Sequence, residues 1–272
     1  MYKIIKKIIG YFFIFVVFSF FTWIGYLFFS GRDPVILMYH SIGEKLEKES
    51  VLNVSEEAFE AQMALLHRSG YRVISLSDLA GMIEHGQRIP FKTVVITFDD
   101  GYENNYTKAY PVLKKYHFPA TIFMIVDYIG LEKEMVGHRY RFLNKEALKS
   151  LSDEGLISIG AHTKSHPYLP SVKEPALLDE EISGSRKGLE DILKKLPEAF
   201  AYPVGGYNND ILKCVQKAGY RVAVTTLPVK KGVTRLNPLA LKRIKMTEKA
   251  KKPFVFFIET SGYYIRMKEM SG

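Results

Sequence analysis

The sequence predicts a parallel α/β domain that follows an apolar N-terminal segment. Beyond Arg32, short apolar runs rich in β-branched and aromatic residues alternate with amphipathic helical stretches, a pattern typical of strands and helices that take turns along a parallel sheet. The chain has 272 residues, of which 47% are hydrophobic and 25% are charged. That length suffices for one sizeable domain and is too short for two large ones.

The apolar segment covers residues 8–29, which carry no charge. It is long enough to cross a bilayer as a helix at about 1.5 Å per residue. Because Lys3, Lys6 and Lys7 precede it, the positive-inside rule places residues 1–7 in the cytoplasm and the rest of the chain outside. A cleaved signal peptide is the alternative, but the run is longer than a signal core and Phe28-Phe29-Ser30 has no small-residue cleavage pattern. We expect a single-pass anchor in the cell membrane.

Seven apolar runs in the domain are predicted strands: residues 35–39, 72–75, 93–98, 121–125, 156–160, 199–202 and 221–225. Ser55 as N-cap and Gly70 as stop signal bound the first helix of the domain. Further helices are predicted from Ser77 onward and over residues 104–116, 145–154, 174–196 and 211–219. The apolar run at 254–258 is predicted as one more strand.

Four polar features each directly follow a predicted strand. They are His40, the pair Asp99-Asp100, the pair His162 and His166, and the stretch Pro203-Val204-Gly205-Gly206. Taken singly, each has an ordinary interpretation as a turn, a loop, a packed histidine or a surface residue. However, the carboxyl ends of parallel strands lie on one face, where sites are built, so we expect the four features to meet.

Two imidazoles and one carboxylate, with positions left for water, suit Zn²⁺ or another first-row metal ion. Such an ion lowers the pKa of its water toward ~7 and polarises a carbonyl oxygen. Successive side chains leaving a strand point apart, so one of the two aspartates can bind metal while the other acts as a base. His40 can protonate a leaving amine, and a backbone N–H at Val204 can stabilise an oxyanion.

Two motifs carry a family resemblance: Thr-Phe-Asp-Asp-Gly-Tyr at 97–102 and His-Thr-Lys-Ser-His at 162–166. Together they resemble the NodB-homology polysaccharide deacetylases, carbohydrate esterase family 4, over residues 35–245. The resemblance implies a distorted (β/α) barrel of about seven parallel strands within a deacetylase domain at 33–272. It also implies hydrolysis of N-acetyl, sometimes O-acetyl, groups on polysaccharides.

The resemblance assigns roles to individual residues. Asp99 corresponds to the general base, and Val204 stands where the family's oxyanion N–H lies. The implied ligands of Zn²⁺, with Co²⁺ and Ni²⁺ as alternatives, are Asp100, His162 and His166.

The chain departs from the family pattern at several positions. Phe200 stands where the family usually has Arg, Leu241-Lys242-Arg243 replaces the usual Leu-x-His, and the single tryptophan, Trp23, lies in the apolar segment. Val204 replaces the aromatic residue after the motif's Pro. These departures resemble the biofilm poly-N-acetylglucosamine deacetylase branch, in which the acid histidine follows the first strand, as His40 does here. Arg243 is then expected to orient Asp99 in place of the missing Arg; a surface or structural Arg is the alternative.

The formal net charge of +9 includes a basic cluster between Lys230 and Lys252. A solvated face is one interpretation, and attraction to anionic lipid or a cell-wall polymer is another. No nucleic-acid module motif accompanies the charge, so nucleic acid is not an expected partner. The expected partner is a polysaccharide: poly-β-1,6-GlcNAc, peptidoglycan or chito-oligosaccharide. A non-catalytic glycan-binding or export factor, and an O-acetyl esterase, remain as other hypotheses.

Overall fold

The structure is a computed structural model that describes residues 10–20, 22, 35–43, 52–135, 138–226, 236–261 and 264. It divides into two compact units, Met1–Arg32 and Asp33–Gly272.

In the first unit, residues 10–20 form helix α1. Among the residues that the structure describes, none of the helices is both long enough and apolar enough to span a bilayer. Residues 8, 9, 21 and 23–29 of the predicted anchor lie outside the described residues. The anchor therefore stays a prediction.

The second unit contains the sheets. Its strands are β1 (Val35–Tyr39), β2 (Ser41–Gly43), β3 (Asn53–Ser55), β4 (Arg72–Val73), β5 (Thr93–Phe98), β6 (Ala120–Met124), β7 (Glu132–Met135), β8 (His138–Arg141), β9 (Ile157–Ala161), β10 (Ala199–Ala201), β11 (Val222–Thr225), β12 (Leu241–Lys242) and β13 (Ile244–Lys245). Within the described residues, nine of these strands form one sheet in the order β12-β11-β10-β9-β6-β5-β1-β13, with β4 beside β5. Every pairing in this sheet is parallel.

One short segment joins the two edges of that sheet. β12 pairs with β11 and β13 pairs with β1, and only Arg243 separates β12 from β13 in the chain. The Arg243 N–H donates to Thr225 O at 2.9 Å, and the Met246 N–H donates to Met38 O at 3.0 Å. The sheet therefore curls into a nearly closed parallel barrel, which confirms the predicted α/β class and the parallel barrel. The described sheet has nine strands where about seven were predicted.

Apart from the last, the described helices of the domain lie between strands in the chain, as the alternating pattern predicts. They are α2 (Glu56–Arg68), α3 (Leu76–Glu84), α4 (Tyr110–Tyr116), α5 (Lys145–Glu154), α6 (Pro175–Asp179), α7 (Ser185–Leu193), α8 (Asn209–Lys217) and α9 (Pro253–Glu259). Two π turns extend this set, Asn105–Ala109 before α4 and Glu180–Gly184 between α6 and α7. Ser55 caps α2 as predicted, since its side chain accepts from Ala58 N.

Two local predictions were wrong. α3 is capped by Ser75 and not opened by Ser77, because Ser75 and Asp78 form a capping box in which each side chain bonds the other residue's backbone N–H. Residues 254–258 belong to helix α9 and not to a strand. Pro253 occupies its first position, where the fixed φ of proline favours helix, and the helix buries Phe256 while leaving Phe254 exposed.

The core follows the period of two along each strand. Leu37 and Ile96 belong to the larger apolar cluster, which includes side chains of α2, whereas Ile36 and Val95 belong to a second cluster. That second cluster includes Leu79 of α3. Burial of both strand faces explains why the sheet strands read as continuous apolar runs.

Candidate active site

The predicted site residues meet in one cavity of about 590 Å³. They arrive at the carboxyl ends of the strands: His40 after β1, Asp99 and Asp100 after β5, His162 and His166 after β9, Val204 after β10, and Arg243 between β12 and β13. The cavity is also lined by Lys242, the neighbour of Arg243, and by Tyr202, Thr226 and Lys245, which the sequence analysis did not single out.

Asp100, His162 and His166 form a cluster whose candidate ligand atoms all lie within 4.8 Å of one another. Asp100 Oδ1 lies 3.6 Å from His162 Nε2 and 3.8 Å from His166 Nε2. His162 Nδ1 bonds the Ala201 carbonyl oxygen at 2.8 Å; a carbonyl only accepts, so Nδ1 carries the proton and Nε2 keeps its lone pair for a metal. This donor set fits Zn²⁺ or a similar first-row ion.

Burial lowers the pKa of His162 to about 4. The imidazole is therefore neutral near neutral pH, which is the form that binds a metal ion.

The backbone at the cluster is unusual. Asp100 and His166 both have a left-handed conformation, with φ of 69° and 68°. Gly101 follows at φ 78°, and a Cβ at this position would lie 2.1 Å from Met124 Sδ. Only glycine fits at position 101 of this turn. Asp100 and His166 adopt the left-handed conformation although they are not glycines, and this kind of backbone strain is concentrated at functional sites.

The loop that carries the two histidines is held by a buried carboxylate, Glu181. Its Oε2 accepts from the N–H groups of Lys164 and Ser165, both at 2.9 Å, and its Oε1 accepts from Ser165 Oγ at 2.5 Å. Thr163 Oγ1 accepts from His166 N at 2.9 Å. The sequence analysis missed Glu181, because nothing in the local pattern of a helical acid signals a contact to a loop 16 residues away.

Asp99 forms a bidentate ion pair with Arg243. Both Arg243 Nη atoms lie 2.6 Å from an Asp99 carboxylate oxygen, and both side chains are buried. Burial raises the pKa of Asp99, but the charge of Arg243, the adjacent His162 ring and the Arg243 hydrogen bonds outweigh it and hold the pKa well below its usual range. Asp99 is therefore ionised, and its main partner differs from those of Asp100, as expected for side chains that point apart.

His40 and Val204 lie in the cavity wall. His40 is half-buried, and it is near enough to Asp99 to be among the groups that lower the pKa of that carboxyl. Val204 lies in a tight 3₁₀ turn over Pro203–Gly205 with φ 54°, and the residue is 67% exposed. Thr225 Oγ1 supports this turn by donating to Gly205 O at 2.7 Å.

The parallel barrel and its Asp/His cluster define a class of α/β barrel proteins with a candidate metal site at the strand ends. A family model described as polysaccharide deacetylase matches residues 86–223. The chain belongs to the polysaccharide deacetylase family, a group of hydrolases that act on carbon–nitrogen bonds.

Two curated relatives illustrate the similarity. The putative polysaccharide deacetylase YxkH of Bacillus subtilis is 39% identical over 193 residues, covering 71% of this chain and 64% of that protein. The poly-beta-1,6-N-acetyl-D-glucosamine N-deacetylase of Staphylococcus aureus is 30% identical over 205 residues, covering 73% of this chain and 69% of that protein. The matched region thus covers slightly more than two thirds of the length of the Staphylococcus aureus protein and slightly less than two thirds of the length of YxkH.

A solved structure shows the same fold. The Streptococcus pyogenes deacetylase PplD, in complex with acetate, superposes with a TM-score of 0.71 at 27% identity. The superposition covers 85% of this chain and 98% of PplD.

Proposed function

We propose that this protein uses a divalent metal ion, Zn²⁺ being favoured, to remove N-acetyl groups from a GlcNAc-containing polysaccharide outside the cytoplasmic membrane. The observation that carries the proposal is the Asp100, His162 and His166 cluster in the same cavity as the Asp99–Arg243 pair. Poly-β-1,6-GlcNAc is the favoured polymer, because a deacetylase of that polymer is 30% identical to this chain.

Each residue has a definite task in this proposal. Asp100, His162 and His166 hold the metal ion, which when bound supplies Lewis acidity for polarising a carbonyl oxygen and activating water. Asp99, ionised and oriented by Arg243, accepts the proton of the attacking water. His40 protonates the leaving amine, and the Val204 N–H stabilises the oxyanion.

Other glycans and other roles are outcomes of the same test. Peptidoglycan and chito-oligosaccharide carry the same acetamido group, and an O-acetyl ester would use the same machinery. A non-catalytic glycan-binding or export factor would need none of these groups. The bidentate pairing of Asp99 beside a complete set of three metal ligands favours the enzyme.

The test measures acetate release by the purified full chain loaded with Zn²⁺, Co²⁺ or Ni²⁺. Substrates are β-1,6-linked GlcNAc oligomers, chito-oligosaccharides, peptidoglycan and an O-acetylated glycan. Asp99→Asn, which keeps the side-chain shape, is the matched control. We expect release from the β-1,6 oligomers in the wild type and loss of release after chelation. No release above Asp99→Asn on any acetylated glycan would rule out the proposal.

We further propose that residues 8–29 anchor the protein in the cell membrane with the domain at 33–272 outside. The support is the uncharged span and the three lysines before it.

A further inference from the structure

Two adjacent asparagines hold the chain segment that carries His40. Asn105 Nδ2 donates to the His40 carbonyl oxygen at 2.7 Å. Asn104 Nδ2 donates to Ser41 Oγ at 2.7 Å, and Asn104 Oδ1 accepts from Ile42 N at 3.1 Å. Three consecutive residues of that segment are thus each bonded by one of the two asparagine side chains.

These hydrogen bonds lie where the backbone hydrogen bonds between neighbouring barrel strands end. The Asp99 N–H donates to Tyr39 O at 2.9 Å, which is the last ladder bond before His40, and the Ser41 N–H donates to Leu52 O at 2.8 Å in a separate two-stranded sheet. His40 lies between these two sheets. The carbonyl oxygen of His40 is fixed by a side chain, so the placement of this residue depends on Asn105.

Asn105 is 1% exposed, and the part of the chain that the structure describes offers its Oδ1 no hydrogen-bond partner. A buried, unsatisfied amide oxygen is unfavourable, and an apolar residue of similar size would avoid the cost. The Nδ2 donor has to face the His40 carbonyl, because that oxygen can only accept. Asn105 therefore carries a destabilising buried Oδ1 atom at a position where its Nδ2 group is used to bond the His40 carbonyl oxygen.

We propose that Asn104 and Asn105 are positioning residues that set where the His40 imidazole stands in the cavity relative to Asp99. The seven residues from Asp99 to Asn105 would then supply the base, one metal ligand and the support of the acid. This inference rests on the proposed role of His40 in the deacetylation.

The chemistry gives a way to separate positioning from general damage. An acetamide releases an amine that must be protonated, so its hydrolysis needs the acid in place. An aryl acetate such as 4-nitrophenyl acetate releases a stable phenolate and needs no acid. Displacing His40 should slow the first reaction and spare the second, whereas damage to the metal site or to Asp99 should slow both.

The experiment compares Asn105→Leu with the wild-type full chain on an N-acetylated glycan and on 4-nitrophenyl acetate. A displaced catalytic group costs up to about 100-fold, so we expect kcat/KM on the glycan to fall about 10- to 100-fold. On the ester we expect a change within about 3-fold, because the position of His40 matters only when the leaving group has to be protonated. His40→Ala should show the same selectivity. In the His40→Ala background, Asn105→Leu should change the glycan rate by no more than about 2-fold, since the two residues act as one unit.

Equal losses on both substrates, or losses that add in the double variant, would overturn the inference while leaving the proposed function standing. Asn208→Leu is the matched control: Asn208 caps α8 through a 2.9 Å bond from Ile211 N and is not among the residues that line the cavity. Asn104→Leu is the second variant in case Asn105→Leu does not fold.

An activity-independent measurement covers the case in which no glycan is hydrolysed and the proposed function fails. In protein labelled with ¹⁵N-histidine, the ring signals of His40 are identified by their loss in His40→Ala. Asn105→Leu should shift or broaden these signals and leave unchanged those of His67, which packs against Tyr116, and of His85, which bonds the Gly81 carbonyl oxygen. Unchanged His40 signals would overturn the inference.

Discussion

At the scale of single residues, the buried ion pair of Asp99 and Arg243 affects both the stability of the protein and the charge state of the site. Neither partner is exposed, and the two 2.6 Å bonds use both carboxylate oxygens. Such a pair adds little net stability over an apolar pair of the same shape, but removing one partner leaves a buried charge unpaired. Arg243 therefore has a structural consequence as well as the orienting role proposed for it.

Arg243→Met should lower the free energy of unfolding by about 3–5 kcal/mol, because Asp99 then has to stay buried without its counter-charge or become protonated. Urea unfolding of the metal-free protein at pH 7 measures this. Arg221→Met is the control: Arg221 pairs with Glu84 at 2.6 Å, but both side chains are 34% exposed. Solvent screens that pair, so its loss should cost about 0–1 kcal/mol. Equal costs for the two variants would contradict a buried, unscreened Asp99–Arg243 pair.

His162 gives the metal-free protein a pH dependence. Its pKa is about 4 in the folded state, against 6.5 for an exposed histidine. Between these values the unfolded chain binds one more proton than the folded one, so stability falls as the pH falls. With chelator present, we expect the free energy of unfolding to drop by up to about 1.4 kcal/mol per pH unit from pH 6.5 toward 4. His162→Gln should show a shallower slope; an identical slope would contradict the assignment.

Sequence reasoning found most of the polar residues that meet in the cavity because they follow strands, and the carboxyl ends of parallel strands lie close together. It did not find Glu181, Asn104 or Asn105. Their side chains bond backbone groups that are 16 to 65 positions away, and no local period or cap signal encodes such a contact. Arg243 was found only through the resemblance, as the residue standing in the place of a missing one.

At the scale of elements, the strands that follow clear apolar runs were predictable, and the short strands β12 and β13 were not. The run at 93–98 was predicted to the residue, whereas β12 and β13 have two residues each, too few to show any pattern. Residues 254–258 were mistaken for a strand because a short apolar run does not distinguish strand from buried helix. Pro253 just before the run was the available signal for a helix start.

Glu248 links the segment that follows β13 to the start of α2. Its carboxylate accepts from Ser55 N at 3.0 Å and from Ser55 Oγ at 3.1 Å, while Ser55 Oγ also caps the helix by accepting from Ala58 N. Ser55 therefore serves two elements at once.

Glu248→Ala should destabilise the protein by about 1.5–3 kcal/mol, the range for hydrogen bonds to a charged group. Chemical unfolding measures the change, and Asp210→Ala is the control, since its ion pair with Lys213 is mostly exposed and should be worth well under about 1 kcal/mol. In a Ser55→Ala background the cost of Glu248→Ala should shrink. Additive costs in the double variant would show that the two side chains do not cooperate.

At the scale of the whole molecule, barrel closure and the site share one segment. Residues 241–245 pair with β11 on one side and with β1 on the other, and Arg243 between them reaches Asp99. The segment that closes the barrel therefore also supplies the partner of Asp99. The alternating pattern predicted a parallel α/β domain with its site at the strand ends, and the family resemblance implied a barrel, but neither indicated which segment would close it.

The remaining whole-molecule question is where the domain works, and the proposed anchor makes it testable. The full chain expressed in a bacterial host should sediment with the membranes and resist extraction by high salt, because burial of an apolar helix is insensitive to ionic strength. A chain that starts at residue 33 without a signal should remain in the supernatant. Protease added to spheroplasts should digest the domain of the full chain, since the lysines before the span keep residues 1–7 inside. Protection of the domain in intact spheroplasts would place it in the cytoplasm. Release of the full chain by salt would show that basic residues, and not the apolar span, hold it at the membrane.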